Sequence, residues 1–227
     1  MITDPPRNSS TSRRRSQSPQ LTDSSQSFDG FLAELNSRKR KAIKKERREV
    51  AELDVDIRVL DGHQMDDALW EAFYGFYMNT SDRKWGQAYL TRAFFTMLSE
   101  RCPDDVVMVM CFENEVPVAG ALNLRGGDTL YGRNWGCSDD HKFLHFEACY
   151  YQAIDAAISL GLKRVEAGAQ GAHKLARGYL PCATYSLHYI PDPGFRNAVS
   201  DYLVREREAV DQEIEFLLDR GPFKREG

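Results

Sequence analysis

Apolar residues recur along this chain with two periods, and the changes between them mark out its elements. Residues 1–27 show neither period; they are rich in Ser, Pro, Gln and Arg and nearly empty of large apolar side chains, so composition predicts a disordered leader. From Phe28 a helical stripe begins, running through Phe31, Leu32, Leu35, Ala42, Ile43 and Val50. Alternation at Val55, Ile57 and Val59 predicts a strand over 54–60, and two helices follow over 66–78 and 88–100. The run at 106–112, a turn, the run at 118–124, the turn Gly126-Gly127-Asp128 and the run at 129–134 predict an antiparallel meander.

Phe143, Glu147, Tyr150, Tyr151, Ile154 and Ile158 then fall on one helical face, which Gly161 ends. Glu147 lies inside that apolar stripe, so it must be paired, hydrogen-bonded or protonated, and a structural role is favoured over a chemical one. A short apolar run at 162–165, a glycine loop and a strand at 184–190 come next. A last helix opens at Asp192-Pro193, turns Phe195, Val199, Tyr202, Leu203, Val210, Ile214 and Leu217 inward, and closes at Arg220-Gly221. This order predicts a mixed α/β domain over 28–221, with a central mixed sheet flanked by helices and a tail at 222–227.

Composition changes this picture little. The chain has 227 residues, 42% hydrophobic and 28% charged, with a formal charge of -4. That balance disfavours bulk attraction to nucleic acid or anionic membrane, and no run approaches the roughly 20 apolar residues of a membrane span. The N-terminus lacks the apolar core of a signal peptide, so the reading is cytoplasmic. Five cysteines with no Cys-x-x-Cys pair suit reduced thiols. One local exception stands out: Arg38, Lys39, Arg40, Lys41, Lys44, Lys45, Arg47 and Arg48 crowd one helix, relieved only by Glu46. That face is either a solubilising surface or a site for tRNA or another anionic partner.

Candidate chemistry concentrates in Glu166–Tyr179. Glu166 ends a short strand, where open α/β sheets collect ligands. His173, Lys174 and Arg177 follow at helical spacing and make a candidate anion site beside that carboxylate, against which stands a polar loop with a solvated basic turn. Gln170, and Trp85 on a polar loop, are candidate substrate contacts. Cys137, in a glycine turn ahead of a helix, is a weaker candidate nucleophile. His141, His145 and Glu147 do not share a helix face, so no metal site is expected.

Arg133, Gly136 and Ser138, between a strand and a helix, resemble the pyrophosphate-binding segment of GCN5-related N-acyltransferases (GNAT): Arg or Gln, two residues, Gly, one residue, then Gly or Ala. The runs Trp135-Gly-Cys, Phe143-Leu-His-Phe-Glu-Ala-Cys-Tyr-Tyr and Gly168-Ala-Gln-Gly-Ala-His-Lys-Leu-Ala-Arg-Gly-Tyr look like a bacterial FemAB-like family of peptidoglycan biosynthesis or recognition proteins. Ser37-Arg-Lys-Arg-Lys, Arg83-Lys-Trp and Tyr89-Leu-Thr add to the likeness, which spans roughly 28–215. It implies the acyl-CoA N-acyltransferase fold, of which this chain resembles the C-terminal half, without the similar domain that usually precedes it. Ala172 stands where the family pattern usually has glutamate. The implied activity is direct attack of an amine on an acyl-CoA thioester or a charged-tRNA-type ester, in peptidoglycan precursor metabolism, with Glu166 the candidate base, His173 able to share that role, Lys174 and Arg177 holding phosphate or an acceptor carboxylate, and Tyr131 or Tyr179 the candidate acid for the leaving group. The implied alternative is a non-catalytic module recognising a cell-wall precursor or anionic partner.

Overall fold

The computed structural model describes residues 9–18, 21, 27–83, 88–168 and 171–224. Five strands form the central sheet in the order β2-β3-β4-β5-β6: β2 (Asp56–Asp61), β3 (Val106–Glu113), β4 (Val116–Gly126), β5 (Thr129–Cys137) and β6 (Arg164–Glu166). The first four pair antiparallel, confirming the meander, and β5 and β6 pair in parallel across a helical crossover. β3 is an inner strand covered on both faces, which is why its sequence reads as one continuous apolar run rather than an alternation.

On one face lie α3 (Asp67–Arg83) and α4 (Arg92–Arg101), whose Trp70, Phe73, Phe76 and Phe95 pack against Met108, Met110 and Leu122 of the sheet. On the other lie α1 (Phe28–Glu34), α2 (Ser37–Ala51) and the crossover, which cover Val107, Val109, Cys111 and Leu130. The single helix predicted from Phe28 is two helices. Asn36 breaks it, capping α2 by accepting from the Lys39 amide at 3.0 Å.

The crossover runs through α5 (Leu144–Phe146), a π-helical segment (Glu147–Tyr151) and α6 (Gln152–Ser159). Gly161 then turns the chain at φ +66°. Beyond β6 come α7 (Ala172–Leu175), β7 (Leu180–Tyr189) and α8 (Pro193–Leu218).

Two expectations are corrected here. The leader contains a strand, β1 (Ser9–Ser18), which pairs antiparallel with β7 at all ten positions. A composition argument counts only side-chain burial, whereas a backbone ladder against an existing strand orders a chain that has no core of its own. The inward stripe of the last helix is also not realised. Leu203 is its buried residue, while Phe195 and Tyr202 are 62% and 56% exposed, because α8 lies on the β1–β7 ribbon rather than in the main core.

Candidate functional site

β5 and β6 stay paired only from Thr129–Tyr131 to Arg164–Glu166. Beyond Tyr131, β5 continues for six more residues while the other chain turns away at Ala167, and a cleft of about 480 Å³ opens between them. Gly132, Arg133, Asn134 and Trp135 line one wall; His145 and Tyr150 of the crossover and Ala167, Gly171, His173 and Lys174 line the other. β5 is bulged here. Pairing passes from Leu122↔Asn134 to Asn123↔Gly132, so Arg133 has no residue opposite it in β4. Such a bulge leaves one residue unpaired in the ladder and bends the strand. Asn123, buried beneath, is fixed by donating from Nδ2 to Val107 O at 3.1 Å and Ala121 O at 3.2 Å.

The chemically able pair is His173 and Tyr150. Nε2 of His173 lies 2.9 Å from the Tyr150 hydroxyl oxygen. Partial burial, with Arg177 and Lys174 beside it, holds the imidazole below its usual 6.5, so it is neutral near pH 7. Burial pushes the Tyr150 phenol upward, so it keeps its proton. Around them stand Trp135, His145 and Phe146, with the His145 ring 5.3 Å from Trp135 and 5.5 Å from Tyr150. The π-helical segment helps by sending the adjacent Tyr150 and Tyr151 to different tasks, one toward His173 and the other toward α2.

Arg177 supports this loop from behind. Its guanidinium makes two short bonds to Glu46, at 2.8 and 2.9 Å, donates to the Tyr151 hydroxyl at 3.0 Å and to the His173 carbonyl at 2.8 Å, and lies 3.5 Å over the Phe146 ring. Tyr151 also bonds Glu46. The side chain is 9% exposed, so the expectation of Arg177 as a phosphate ligand is replaced by an internal ion pair. Lys174 is buried at the cleft wall, and its Nζ donates to Ala167 O at 2.6 Å.

The remaining candidates divide. Glu166 ends β6 as expected and is half-buried, but its neighbour Ala167, not Glu166, forms the cleft wall. Tyr179 is fully buried and donates to Tyr150 O at 3.0 Å; burial raises its phenol well above the usual value, which corrects its assignment as leaving-group acid to that of a packing pin. Tyr131 is 39% exposed, paired with Leu124 on one side and Glu166 on the other.

Gly136 and Ser138 do not form an anion cradle. β5 runs through Gly136, which is buried against α3, and an added Cβ would lie 2.2 Å from Phe76 O. Ser138 donates both from its amide and from its hydroxyl to Val118 O, at 2.8 and 3.1 Å. Cys137 is buried. Trp85 and Gln170 lie outside the described residues.

Glu147 is buried as predicted, accepting from Arg47 at 3.0 Å and Gln152 at 2.8 Å, and burial raises its pKa. Among the described residues no group of three or more metal-ligating side chains occurs. Sequence reading missed Glu46, Trp135, His145 and Tyr150 as a set. Glu46 had a signal, as the one acid in a basic run.

The five-stranded mixed sheet, its parallel crossover and the cleft where β5 and β6 part define an acyl-CoA N-acyltransferase (GNAT)-like fold. Solved structures agree. The chain resembles FemX (TM-score 0.60, 11% identity, covering 82% of this chain and 64% of that one). It likewise resembles L-PGS from Bacillus licheniformis (TM-score 0.60, 9% identity, 86% and 67%). A third match is the C-terminal domain of a lysylphosphatidylglycerol synthetase candidate from Agrobacterium fabrum (TM-score 0.59, 8% identity, 87% and 66%). The chain thus spans about two thirds of the length of each. No curated protein sequence matches it. Residues 6–225 match the model of the FemAB-like family, described as peptidoglycan biosynthesis/recognition, and the chain belongs to that family.

Proposed function

We propose that this chain transfers an aminoacyl group from a charged-tRNA-type ester to an amine of a peptidoglycan precursor, in the cytoplasm. The observation that carries the reading is the neutral His173 hydrogen-bonded to Tyr150 on the cleft wall facing the Arg133 bulge. Direct transfer needs a group to take the proton of the attacking amine and a donor for the carbonyl oxygen as it becomes an oxyanion. His173 takes the proton, and the backbone N–H of the unpaired bulge residue receives the oxyanion. The C–N bond forms, the tetrahedral centre collapses, and the C–O bond to the ribose breaks, with the imidazolium proton returned to the departing alkoxide. Tyr150 orients the ring, and Lys174 favours negative charge nearby.

The donor choice rests on two further features. The segment expected to cradle a coenzyme A pyrophosphate is instead strand and helix packing, and exposed Asp139 and Asp140 follow it directly, an adverse setting for a diphosphate. By contrast, α2 presents exposed Arg38, Lys41, Lys44, Lys45 and Arg48, and the same helix reaches the cleft loop through Glu46. That arrangement suits a polyanionic carrier whose binding weakens steeply with salt.

The test is transfer of label from aminoacyl-tRNA, and separately thiol release from acyl-CoA, to a panel of precursor amines. Transfer from the ester, falling about 10²–10⁴-fold in His173→Ala with unchanged circular dichroism, is expected. Full activity of His173→Ala would remove the assigned base. Binding of precursor without turnover of either donor would make the chain a recognition module, and turnover of acyl-CoA alone would reverse the donor.

A further inference from the structure

The turn that carries His173 is not held by its own sequence. α7 is a single helical turn, far below the length at which a helix is stable alone, and glycines with positive φ stand on either side of it, Gly171 at +112° and Gly178 at +92°. Its last carbonyls need donors from elsewhere. The Lys174 carbonyl accepts from the amides of Arg177 and Tyr179, at 2.9 and 3.2 Å. The His173 carbonyl accepts from Nη1 of Arg177 at 2.8 Å. The main chain of the proposed base therefore hangs on a side chain four residues ahead.

Arg177 can hold it only because Arg177 is itself held. Nη2 donates to both Glu46 oxygens, at 2.8 and 2.9 Å, and Nε donates to the Tyr151 hydroxyl at 3.0 Å. Tyr151 in turn bonds Glu46. With all three nitrogens engaged, the planar group has one orientation, and a lysine ammonium has no such fork. Glu46 stands on fixed ground. α2 is docked through buried Ile43 and Val50, and the next residue, Arg47, donates to Glu147 and Asp155 of the crossover at 3.0 Å each. The crossover also supplies Tyr150, the partner of the His173 ring at 2.9 Å. Two adjacent tyrosines thus serve one histidine, Tyr150 at its ring and Tyr151 at the brace behind its main chain.

We propose that Glu46 is a positioning residue: through Arg177 it fixes the His173 main chain so that the imidazole stands against Tyr150 on the cleft wall. This rests on the assignment of His173 as the base.

Position and stability part in Glu46→Gln/Arg177→Met, which removes the ion pair without stranding a charge, so urea denaturation is expected to show most of the native stability. A brace that serves stability alone would let activity return with it. Positioning requires the opposite: kcat for aminoacyl transfer is expected to stay about 10²-fold below native with KM for the amine unchanged, since misplacement by about an ångström has that effect. Arg177→Lys, which keeps the charge but not the fork, is expected to show the same split and decides the matter if the double variant does not fold. A second readout needs no substrate. The ¹⁵N shift of His173 Nε2, set by its bond to Tyr150, is expected to move toward that of a free imidazole in both variants. The charged and titratable groups around the ring are Lys174 and Arg177 of its own segment, His145, Cys149 and Tyr150 of the crossover, and Arg133 on the opposite wall. Loss of the Arg177 charge is expected to raise the pH at which the ring titrates in the double variant. Native kcat in either variant overturns the proposal, as does an Nε2 shift that neither variant moves. Full transfer by His173→Ala, or none by the native chain, instead removes the reading on which the proposal rests, wherever the Nε2 signal lies.

Discussion

Two glycine-bearing stretches, 133–138 and 166–179, look alike on paper: each carries glycine and a basic residue at the end of a strand and leads into a short helix. In the molecule they do opposite things. At 133–138 glycine is needed for space. Gly136 faces Gly120 directly across β4 and β5, and the missing side chains let Phe76 and Phe73 of α3 approach the sheet. At 166–179 glycine is needed for conformation, with Gly168, Gly171 and Gly178 at φ +73°, +112° and +92°. The first stretch builds the wall between sheet and helix; the second places His173 and Lys174 in the cleft and hangs Arg177 behind them. A glycine in a motif therefore carries no chemistry until the reason for it is known.

The largest effect expected from testing this contrast lies behind the loop. Glu46→Ala leaves the buried Arg177 guanidinium without its bidentate partner, and removing one member of such a pair costs about 3–5 kcal/mol. Urea denaturation should show that loss, and the double variant Glu46→Ala/Arg177→Met should recover much of it, since the penalty belongs to the stranded charge. If Glu46→Ala were neutral, Arg177 would be a free cation after all and the anion-site reading would return.

Next come the two kinds of glycine. Gly136→Ala drives a methyl into the Phe76 backbone and should destabilise by about 3 kcal/mol, the upper range for overpacking. Gly168→Ala meets nothing within 4 Å, so its cost is only that of a left-handed conformation, about 1–2 kcal/mol. Gly168→Asn tolerates that conformation better and should recover part of the loss, whereas Gly136→Asn should be worse than Gly136→Ala. Equal rescue by Asn at both sites would erase the distinction.

The fold was legible because it rests on periodicity. The β3–β4–β5 meander, the crossover ended by Gly161 and the short strand closed by Glu166 all follow from runs of Val, Ile, Leu and Met and the turns between them. What was not legible depends on pairing at a distance. Glu46 and Arg177 are 131 residues apart, and nothing near either announces the other. β1 has no apolar pattern because its order comes from the backbone of β7. Within the site, His173 and Lys174 were legible from their spacing in a glycine loop, but Tyr150 was hidden by its own bulk: a tyrosine on an apolar stripe reads as core, and here it is both core and partner. Tyr179, chosen by the same proximity, is core alone.

The smallest effect separates the stretches by titration. Only the second carries a histidine, and its folded-state pKa lies below the ordinary 6.5, through burial first and then the charges of Arg177 and Lys174. The unfolded chain consequently binds a proton more readily than the native one, and stability rises with pH wherever that holds. The contribution is fully present above about pH 6.5, is lost as pH falls from there through the folded pKa, and levels off below it. Melting temperature measured across this window should decline more steeply for the native protein than for His173→Gln, and the imidazole resonance assigned by that variant should titrate below 6.5. A resonance titrating above 6.5 would mean that an anion, not Arg177 and Lys174, dominates its surroundings, and His173 would then be charged near pH 7 and unable to accept the proton of an attacking amine.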